Sequence, residues 1–212
     1  MNNFIFFPKL VRRPEFDYHS NRKEFYSDYR SNYEKVAEDC KHRCVYCDIT
    51  VEECGGDEMQ LDHFRPQNHF AGLRIHPHNL YLSCPKCNFL KTDDWPASKS
   101  PGMPSFVGRI GYFDRFCDDP AVYVKVDIDG RIIAVSGPVD YMIKKMHLNR
   151  TSRLNVRRKR HLAVRKTKLL ENIKKMLLRI AEDEEKGEIS PEQANEKRRK
   201  ICNIFSIYAE LK

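Results

Sequence analysis

Two C-x2-C pairs, Cys44/Cys47 and Cys84/Cys87, constrain the fold of this chain more than any other feature. Two residues between thiolates let both sulfurs of a tight turn reach one tetrahedral ion at about 2.3 Å. Because we expect no secretory signal at the N-terminus, this spacing favours zinc over disulfide bonds. We therefore predict one structural zinc site made of four thiolates.

Four other cysteines lack such a partner and are interpreted as ordinary buried thiols: Cys40, Cys54, Cys117 and Cys202. Cys40 and Cys54 lie close enough to the first pair to be alternative ligands. Thirty-six residues separate the two pairs. That is more than a compact zinc ribbon needs, so the segment between them can carry a second function.

The segment between and just after the pairs has the pattern strand, loop, strand, helix. We predict strands at 58–64 and 79–84, a loop at 65–78, and a short helix opened by Pro85. The expected fold class is α+β. The predicted regions are an N-terminal arm and helix (1–43), a zinc-stapled core (44–95), a connection with a β-hairpin (96–149), and a basic C-terminal helical region (150–212).

Outside this segment the pattern predicts three helices and a hairpin. The first helix spans 21–40, and its aromatic face, which includes Tyr29 and Tyr33, is interpreted as core. Apolar and polar side chains alternate along residues 121–136, which predicts a hairpin with a type I′ turn at Asp129-Gly130. A long helix spans 150–186 and ends at Gly187, and a capping box at 190–193 starts the last helix.

Positive charge is concentrated in one segment. Residues 150–179 contain twelve Lys and Arg against one Glu, whereas the rest of the chain carries 26 basic and 29 acidic residues. A nearly neutral body with one basic segment implies an anionic partner, nucleic acid first or else an acidic subunit. The predicted phosphate contacts in this segment are Arg157, Arg158, Lys159 and Arg160.

Membrane insertion and secretion are both disfavoured by the sequence. No run approaches the roughly 18 apolar residues that a membrane helix needs. The apolar stretch near the N-terminus covers only Phe4 to Phe7 and follows no basic residue. We therefore expect a cytoplasmic protein.

Four polar side chains between or just after the cysteine pairs suit phosphodiester hydrolysis: Asp62, His63, Asn79 and Asn88. Histidine can take a proton from water near neutral pH, so His63 is the candidate general base. Asp62 and Asn88 offer hard oxygen ligands that suit Mg²⁺, with Mn²⁺ as a substitute. Asn79 is expected to bond to the backbone across the loop and orient His63.

Two basic residues near this set, Arg65 and Lys91, are the predicted contacts to the flanking phosphates. One feature opposes a shared site, because neighbouring residues on a regular strand face opposite ways. Asp62 and His63 can serve one site only if the strand ends, twists or bulges there. The Arg65-Pro66 dipeptide makes a strand end the favoured solution.

In this segment, the sequence resembles the HNH endonucleases, whose fold is named ββα-metal. Members carry an Asp-His pair at the end of the first strand, an Asn near the second, and a His or Asn in the following helix. Asp62-His63, Asn79 and Asn88 match these positions, and many members have flanking C-x2-C pairs. The resemblance covers about residues 44–91 and implies a metal-dependent nuclease.

The surrounding strings narrow this resemblance. LDHFRP, NLYLSCPKCNFLKTD and MHLNRTSRLNVRRKR look like HNH proteins of bacterial anti-phage systems, the Septu-type nuclease subunit and retron-associated HNH proteins. That resemblance implies a complex with an SMC/ABC-like ATPase and a nucleic acid substrate, with DNA favoured over RNA. Two alternatives stay open: a non-catalytic zinc module that binds nucleic acid or a partner, and a restriction-type HNH nuclease acting alone.

Overall fold

The computed structural model describes residues 6–100 and 102–210, without the side chains of 207–210. The first part of the predicted N-terminal arm, including Phe4 and Ile5, residue 101 of the connection, and the last two residues of the helical region lie outside this description. The chain divides into two compact units, with the division between Arg158 and Lys159. The predicted basic region therefore contributes its first two helical turns to the first unit.

The centre of the first unit is a two-stranded antiparallel sheet followed by a helix. Strand β1 (Gln60–His63) pairs with β2 (Leu80–Ser83), and Pro85 opens the helix that follows. This order is the predicted one, but β1 is three residues shorter and β2 two residues shorter than predicted. The arrangement of helices, small sheets and a four-cysteine cluster agrees with an α+β fold of the HNH type.

The N-terminal helix is shorter than the sequence predicts. Residues Tyr29–Asn32 form a 3-10 turn, and the first α-helix, α1, covers only Tyr33–Asp39. The prediction of a helix from residue 21 is wrong, because local polar groups form a capped turn before Tyr33 and delay the start of the α-helix. The Asp28 carboxylate accepts the Arg30 amide at 3.0 Å and caps the turn, and His19 pairs with Phe25 in an isolated bridge.

The remaining elements of the described chain complete the two units. The helix after β2 is α2 (Pro85–Lys91), and four short strands follow: β3 (Phe106–Val107), β4 (Ile110–Gly111), β5 (Val124–Val126) and β6 (Ile132–Ala134). The other helices are α3 (Pro120–Tyr123), α4 (Val139–Lys145), α5 (Thr151–Glu185) and α6 (Pro191–Glu210). Short 3-10 turns lie at Glu15–Tyr18, Glu52–Cys54, Ala71–Leu73 and Pro77–Asn79.

The hairpin of β5 and β6 corrects the predicted turn. Gly130 has a φ of +75°, but Asp129 is not among the residues with positive φ, so the turn is not type I′. The Gly130 amide bonds the Asp127 carbonyl at 3.0 Å, as in a type I turn followed by a left-handed glycine. A Cβ at Gly130 would lie 2.5 Å from the Leu154 carbonyl oxygen, so glycine also permits close packing against α5.

The second unit contains the rest of α5 and α6. Their apolar contact is small and consists mainly of Ile173, Ile180, Ala194 and Ile201. The predicted capping box is confirmed, because the Ser190 amide donates to Gln193 at 2.9 Å and the Gln193 amide donates back to the Ser190 hydroxyl. None of the helices in the described part of the chain is long and apolar enough to cross a membrane.

Candidate functional site

The two C-x2-C pairs converge on one point. The sulfurs of Cys44, Cys47, Cys84 and Cys87 all lie within 4.8 Å of one another, and all four residues are buried. The Sγ atoms of Cys47 and Cys84 are 3.8 Å apart. Two ligands of a tetrahedral ion with Zn–S bonds of about 2.3 Å are separated by about 3.8 Å, so this donor set fits Zn²⁺.

The alternative ligands suggested by the sequence lie outside this cluster. Cys40 is buried and its sulfur accepts the Leu82 amide at 3.4 Å. Burial raises the pKa of the Cys40 thiol to about 11. Among the described residues, the groups able to hold a metal comprise the four predicted cysteines and neither Cys40 nor Cys54.

Two arginines near the start of α5 lie against the thiols. Arg150 Nη2 is 3.8 Å from the Cys84 sulfur and 3.9 Å from the Cys87 sulfur, and Arg153 Nη2 is 3.5 Å from the Cys84 sulfur. Hydrogen bonds from Cys44 and the other two thiols lower the pKa of Cys84. Burial alone would lower the pKa of Arg153, but the nearby cysteines outweigh it and raise that pKa. The arginines therefore offset negative charge on the sulfurs.

His63 is the last residue of β1 and is held by a backbone carbonyl. Its Nε2 lies 2.8 Å from the Arg74 carbonyl oxygen. Since a carbonyl can only accept, Nε2 carries the proton, and Nδ1 of the neutral ring is the basic nitrogen. The Tyr29 ring packs edge-on against the imidazole, with centroids 4.8 Å apart. These contacts fix the orientation and the tautomer of His63.

Asp62 is buried and held by two side chains. Its carboxylate accepts the Tyr46 hydroxyl, and it lies 3.1 Å from the Lys91 ammonium. Burial and the charge of Asp62 raise the pKa of Tyr46 well above its usual value, so Tyr46 remains a neutral donor. Lys91 also donates to the His63 carbonyl at 2.8 Å. One buried ammonium thus ties the Asp62 side chain to the backbone of His63.

Asn79 bonds to the backbone across the loop, as its place in the sequence suggests. Its Oδ1 accepts the Arg65 amide at 2.8 Å, and its Nδ2 donates to the Arg65 carbonyl at 3.0 Å and the Leu73 carbonyl at 3.3 Å. Leu73 directly precedes Arg74, which holds the imidazole of His63. Asn79 thus fixes both ends of the loop that orients His63.

Asp62 and His63 line a single cleft although they are neighbours in a strand. The cleft has a volume of about 260 Å³, and Asn88 from α2 also lines it. We call it the catalytic cleft, for the role that we propose for it. Strand β1 ends at His63, which is the strand end that the Arg65-Pro66 dipeptide suggested. The Asn88 amide donates through Nδ2 to Gln60 at 2.8 Å, which leaves Oδ1 as its acceptor.

The sequence predicts that the aromatic residues of the N-terminal segment belong to the core, and this prediction is only partly right. Tyr29 and Tyr33 pack against the core but are partly exposed. Tyr29 lines the catalytic cleft, and both tyrosines line a neighbouring one. The sequence signal was their spacing of four residues on one side of a helix, which does not distinguish a core face from a cleft wall.

The predicted phosphate contact Lys91 requires correction. Its side chain is completely buried and is paired with Asp62. Arg65 is half-buried, with its guanidinium 5.0 Å from the Trp95 ring centroid and its Nη2 bonded to the Met103 carbonyl. The role of Arg65 at phosphates stays a prediction.

Arg157 also requires correction as a phosphate contact. It is 0% exposed, and its guanidinium donates to the Cys47 carbonyl at 3.3 Å and the Leu148 carbonyl at 2.8 Å. It also donates to the Gly130 carbonyl. Arg153 and Arg157 are spaced to share one side of α5, Arg150 directly precedes this helix, and all three residues belong to the first unit. Net charge alone could not reveal this use of arginine.

We expect Arg157→Met to destabilise the protein strongly, whereas Arg158→Met leaves its stability nearly unchanged. Arg157→Met leaves buried carbonyls without donors, which costs about 1–3 kcal/mol for each group. The expected melting temperature falls by about 10 °C. Arg158 is the matched control on the same helix, with a side chain that is 58% exposed. Calorimetry of both variants checks this, and equal melting temperatures would contradict the structural role.

The comparison with protein families agrees with this geometry. Residues 44–94 match the family model described as HNH endonuclease. The match covers both cysteine pairs, both strands and α2. No curated protein and no solved structure matches the chain. The HNH assignment thus applies to the domain at residues 44–94.

Proposed function

We propose that this protein is a metal-dependent HNH endonuclease that hydrolyses phosphodiester bonds of nucleic acid. The observation that carries the proposal is the fixed tautomer of His63. Its Nε2 bonds the Arg74 carbonyl, so Nδ1 is available as a base in a cleft that Asp62 and Asn88 also line. The family match over residues 44–94 supports the same reaction class.

In this proposal His63 is the general base. Nδ1 takes a proton from the water that attacks phosphorus, and general base catalysis of this kind contributes about 10²–10⁴-fold. The Arg74 carbonyl stabilises the imidazolium that results, because Nε2–H keeps its acceptor. Asn79 acts as a positioning residue, since it holds the loop that carries this carbonyl.

Asp62 and Asn88 would hold Mg²⁺, with Mn²⁺ as a substitute. The donor set fits: one carboxylate and one amide oxygen line the cleft, and Mg²⁺ takes few protein ligands and keeps several waters. When bound, the ion supplies electrostatic stabilisation of the phosphoryl and leaving oxygens. Lys91 and Tyr46 hold the Asp62 carboxylate in place, because each donates to it.

The direct test is a cleavage assay on single-stranded DNA, duplex DNA and RNA. The protein is first treated to remove loosely bound divalent ions, with zinc content measured before and after. We expect cleavage with added Mg²⁺ or Mn²⁺ and none without. Undiminished cleavage without a divalent ion, or no cleavage of any substrate, would contradict the proposal.

We expect Lys91→Met to reduce the cleavage rate about 10–100-fold, the usual effect of removing a group that orients a metal ligand. Methionine keeps most of the volume but removes the ammonium that joins Asp62 to His63. Lys86→Met is the matched control, because Lys86 lies on the same helix and is exposed. The rate is measured as a function of Mg²⁺ concentration, together with the melting temperature. Equal cleavage rates in Lys91→Met and Lys86→Met would contradict the positioning role of Lys91.

The finer parts of the proposal concern substrate and partner. We propose DNA as the substrate and anti-phage defence as the setting, with an SMC/ABC-like ATPase as the controlling subunit and the cytoplasm as the location. The support is the resemblance of the strings around the cysteine pairs. Co-expression with the products of neighbouring genes, followed by size-exclusion chromatography, separates this proposal from a nuclease acting alone.

The basic segment of α5 is proposed to bind phosphates through Arg158, Lys159 and Arg160. Arg158 is exposed and pairs with Asp129 only at 3.8 Å, so its charge is accessible. An acidic partner subunit remains the alternative for this segment. A non-catalytic zinc module that only binds nucleic acid or a partner is the alternative for the whole protein. It is disfavoured by the cleft that Asp62, His63 and Asn88 line together, an arrangement that a zinc module without catalysis does not need.

A further inference from the structure

A second, larger cleft adjoins the catalytic cleft and has no role in the hydrolysis described above. Its volume is about 660 Å³, within the range of about 300–1,000 Å³ that holds small organic groups. We call it the adjacent cleft. The wall residues that it does not share with the catalytic cleft are Arg30, Tyr33, Glu58, Met59 and Gln60.

The two clefts are neighbours, because they share wall residues. Tyr29, Leu61 and Asn88 line both of them. Tyr29 also packs edge-on against the imidazole of His63. A group bound in the adjacent cleft would therefore lie next to the phosphate on which the proposed base His63 acts, where a neighbouring nucleotide of the same strand would be.

The walls of the adjacent cleft combine aromatic rings, one cation and polar groups. Tyr29 and Tyr33 are partly exposed, and Met59 is 3% exposed and supplies an apolar surface. The guanidinium of Arg30 is exposed and lies 5.5 Å from the Tyr29 ring centroid. Aromatic rings beside an exposed cation are the combination that binds unpaired bases and their phosphates.

The polar groups of the cleft suit a base edge rather than a phosphate. Glu58 carries a negative charge and can accept a hydrogen bond from an exocyclic amino group. Gln60 is held by Asn88, whose Nδ2 donates to its Oε1 at 2.8 Å, which leaves the Gln60 amide NH₂ as a donor. Arg30 therefore suits the phosphate of a nucleotide, and Glu58 suits the edge of its base.

We propose that the adjacent cleft binds an unpaired nucleobase next to the scissile phosphate, with Tyr33 as its stacking platform. This inference rests on the proposed nuclease function and specifies the substrate class as nucleic acid that is single-stranded at the cut. The faces of bases in a duplex are covered by their neighbours and cannot reach Tyr33. The recognised chemistry is the unpaired base, whether it comes from DNA or RNA.

The test measures binding rather than cleavage, in a His63→Ala background that keeps the oligonucleotide intact. Fluorescence anisotropy compares a labelled single-stranded DNA, the RNA of the same sequence, their duplexes, and a single strand with abasic residues. We expect an unpaired strand, of DNA or RNA, to bind about tenfold more tightly than its duplex. Equal or tighter binding of duplexes, or no binding of any oligonucleotide, would overturn the proposal.

Variants of the cleft assign the binding to the named residues. Tyr33→Leu should weaken single-strand binding about tenfold, whereas Tyr33→Phe keeps the ring and stays within about twofold. Tyr33→Leu should not weaken binding of the abasic strand further. Arg30→Gln should lower the magnitude of the slope of log binding constant against log salt concentration by about 1, and Arg109→Gln, at an exposed position, is the control. If Tyr33→Leu binds as tightly as Tyr33→Phe, stacking on Tyr33 is wrong.

The same measurements separate this inference from the proposed function. If the protein with His63 cleaves nucleic acid but Tyr33→Leu and Tyr33→Phe bind unpaired strands equally, the base site fails and the nuclease stands. If unpaired strands bind in a Tyr33-dependent way but no divalent ion supports cleavage, the base site stands and the nuclease fails.

Discussion

His63→Ala is expected to lower the rate of phosphodiester cleavage by about 10²–10⁴-fold, to the level of the background. The substitution removes the only group that the proposal assigns to proton transfer. It leaves the four thiols unchanged, so the zinc content should stay at that of the parent protein. The measurement is the cleavage rate at saturating Mg²⁺, with zinc content and circular dichroism of the same samples.

Two further variants make this experiment decisive. His63→Asn replaces the ring with a side chain that can still hydrogen-bond but cannot act as a base near neutral pH, so it should be as inactive as His63→Ala. His69→Ala is the matched control, because His69 belongs to the loop that follows β1 but does not line the catalytic cleft. Cleavage by His63→Asn at the parent rate would exclude general base catalysis by this residue.

The catalytic segment could be predicted because its signals are local. Cysteine spacing, the Pro85 helix start and the Arg65-Pro66 strand end each depend on a few neighbouring residues, and the structure shows all three. The resemblance to HNH nucleases then suggested the roles of Asp62, His63, Asn79 and Asn88.

The partners of these residues could not be predicted because they are distant in sequence. The contact of Asp62 with Lys91 joins residues 29 apart, and the contact of Arg157 with the Cys47 carbonyl joins residues 110 apart. A basic residue in the sequence carries no sign of whether its charge is buried against carbonyls or free for phosphate. The predicted phosphate contacts of Lys91 and Arg157 are therefore wrong for the same physical reason: both side chains are buried.

Local turns produced errors of a different kind. The helix predicted from residue 21 starts later because Asp28 caps a turn at Tyr29, a competition that apolar periodicity does not measure. The Asp129-Gly130 dipeptide fits both a type I′ turn and a type I turn with a left-handed glycine. In the type I turn that forms, Gly130 packs closely against α5. This contact joins the turn to a helix about twenty residues further along the chain, so local sequence does not reveal it.

Cys84→Ser is expected to have the largest effect on stability. Cys84 caps α2 just after β2, and its sulfur lies near those of the other three cysteines and the guanidinium groups of Arg150 and Arg153. Losing one of four thiolates weakens metal binding, and in small zinc sites the binding free energy is folding free energy. We expect the free energy of unfolding to fall by more than about 4 kcal/mol.

The measurement combines zinc content by mass spectrometry with melting curves in the presence and absence of a chelator. Cys117→Ser is the matched control, because Cys117 is exposed and lies in the same unit outside the cluster. Cys40→Ser tests the alternative ligand and should retain one zinc per chain, since Cys40 is not part of the cluster. A chelator should lower the melting temperature of the parent and of Cys117→Ser, but it should change the melting temperature of Cys84→Ser much less. If Cys84→Ser keeps its zinc and melts with the parent, the four sulfurs do not hold the metal, and the zinc-stapled geometry that positions His63 loses its basis.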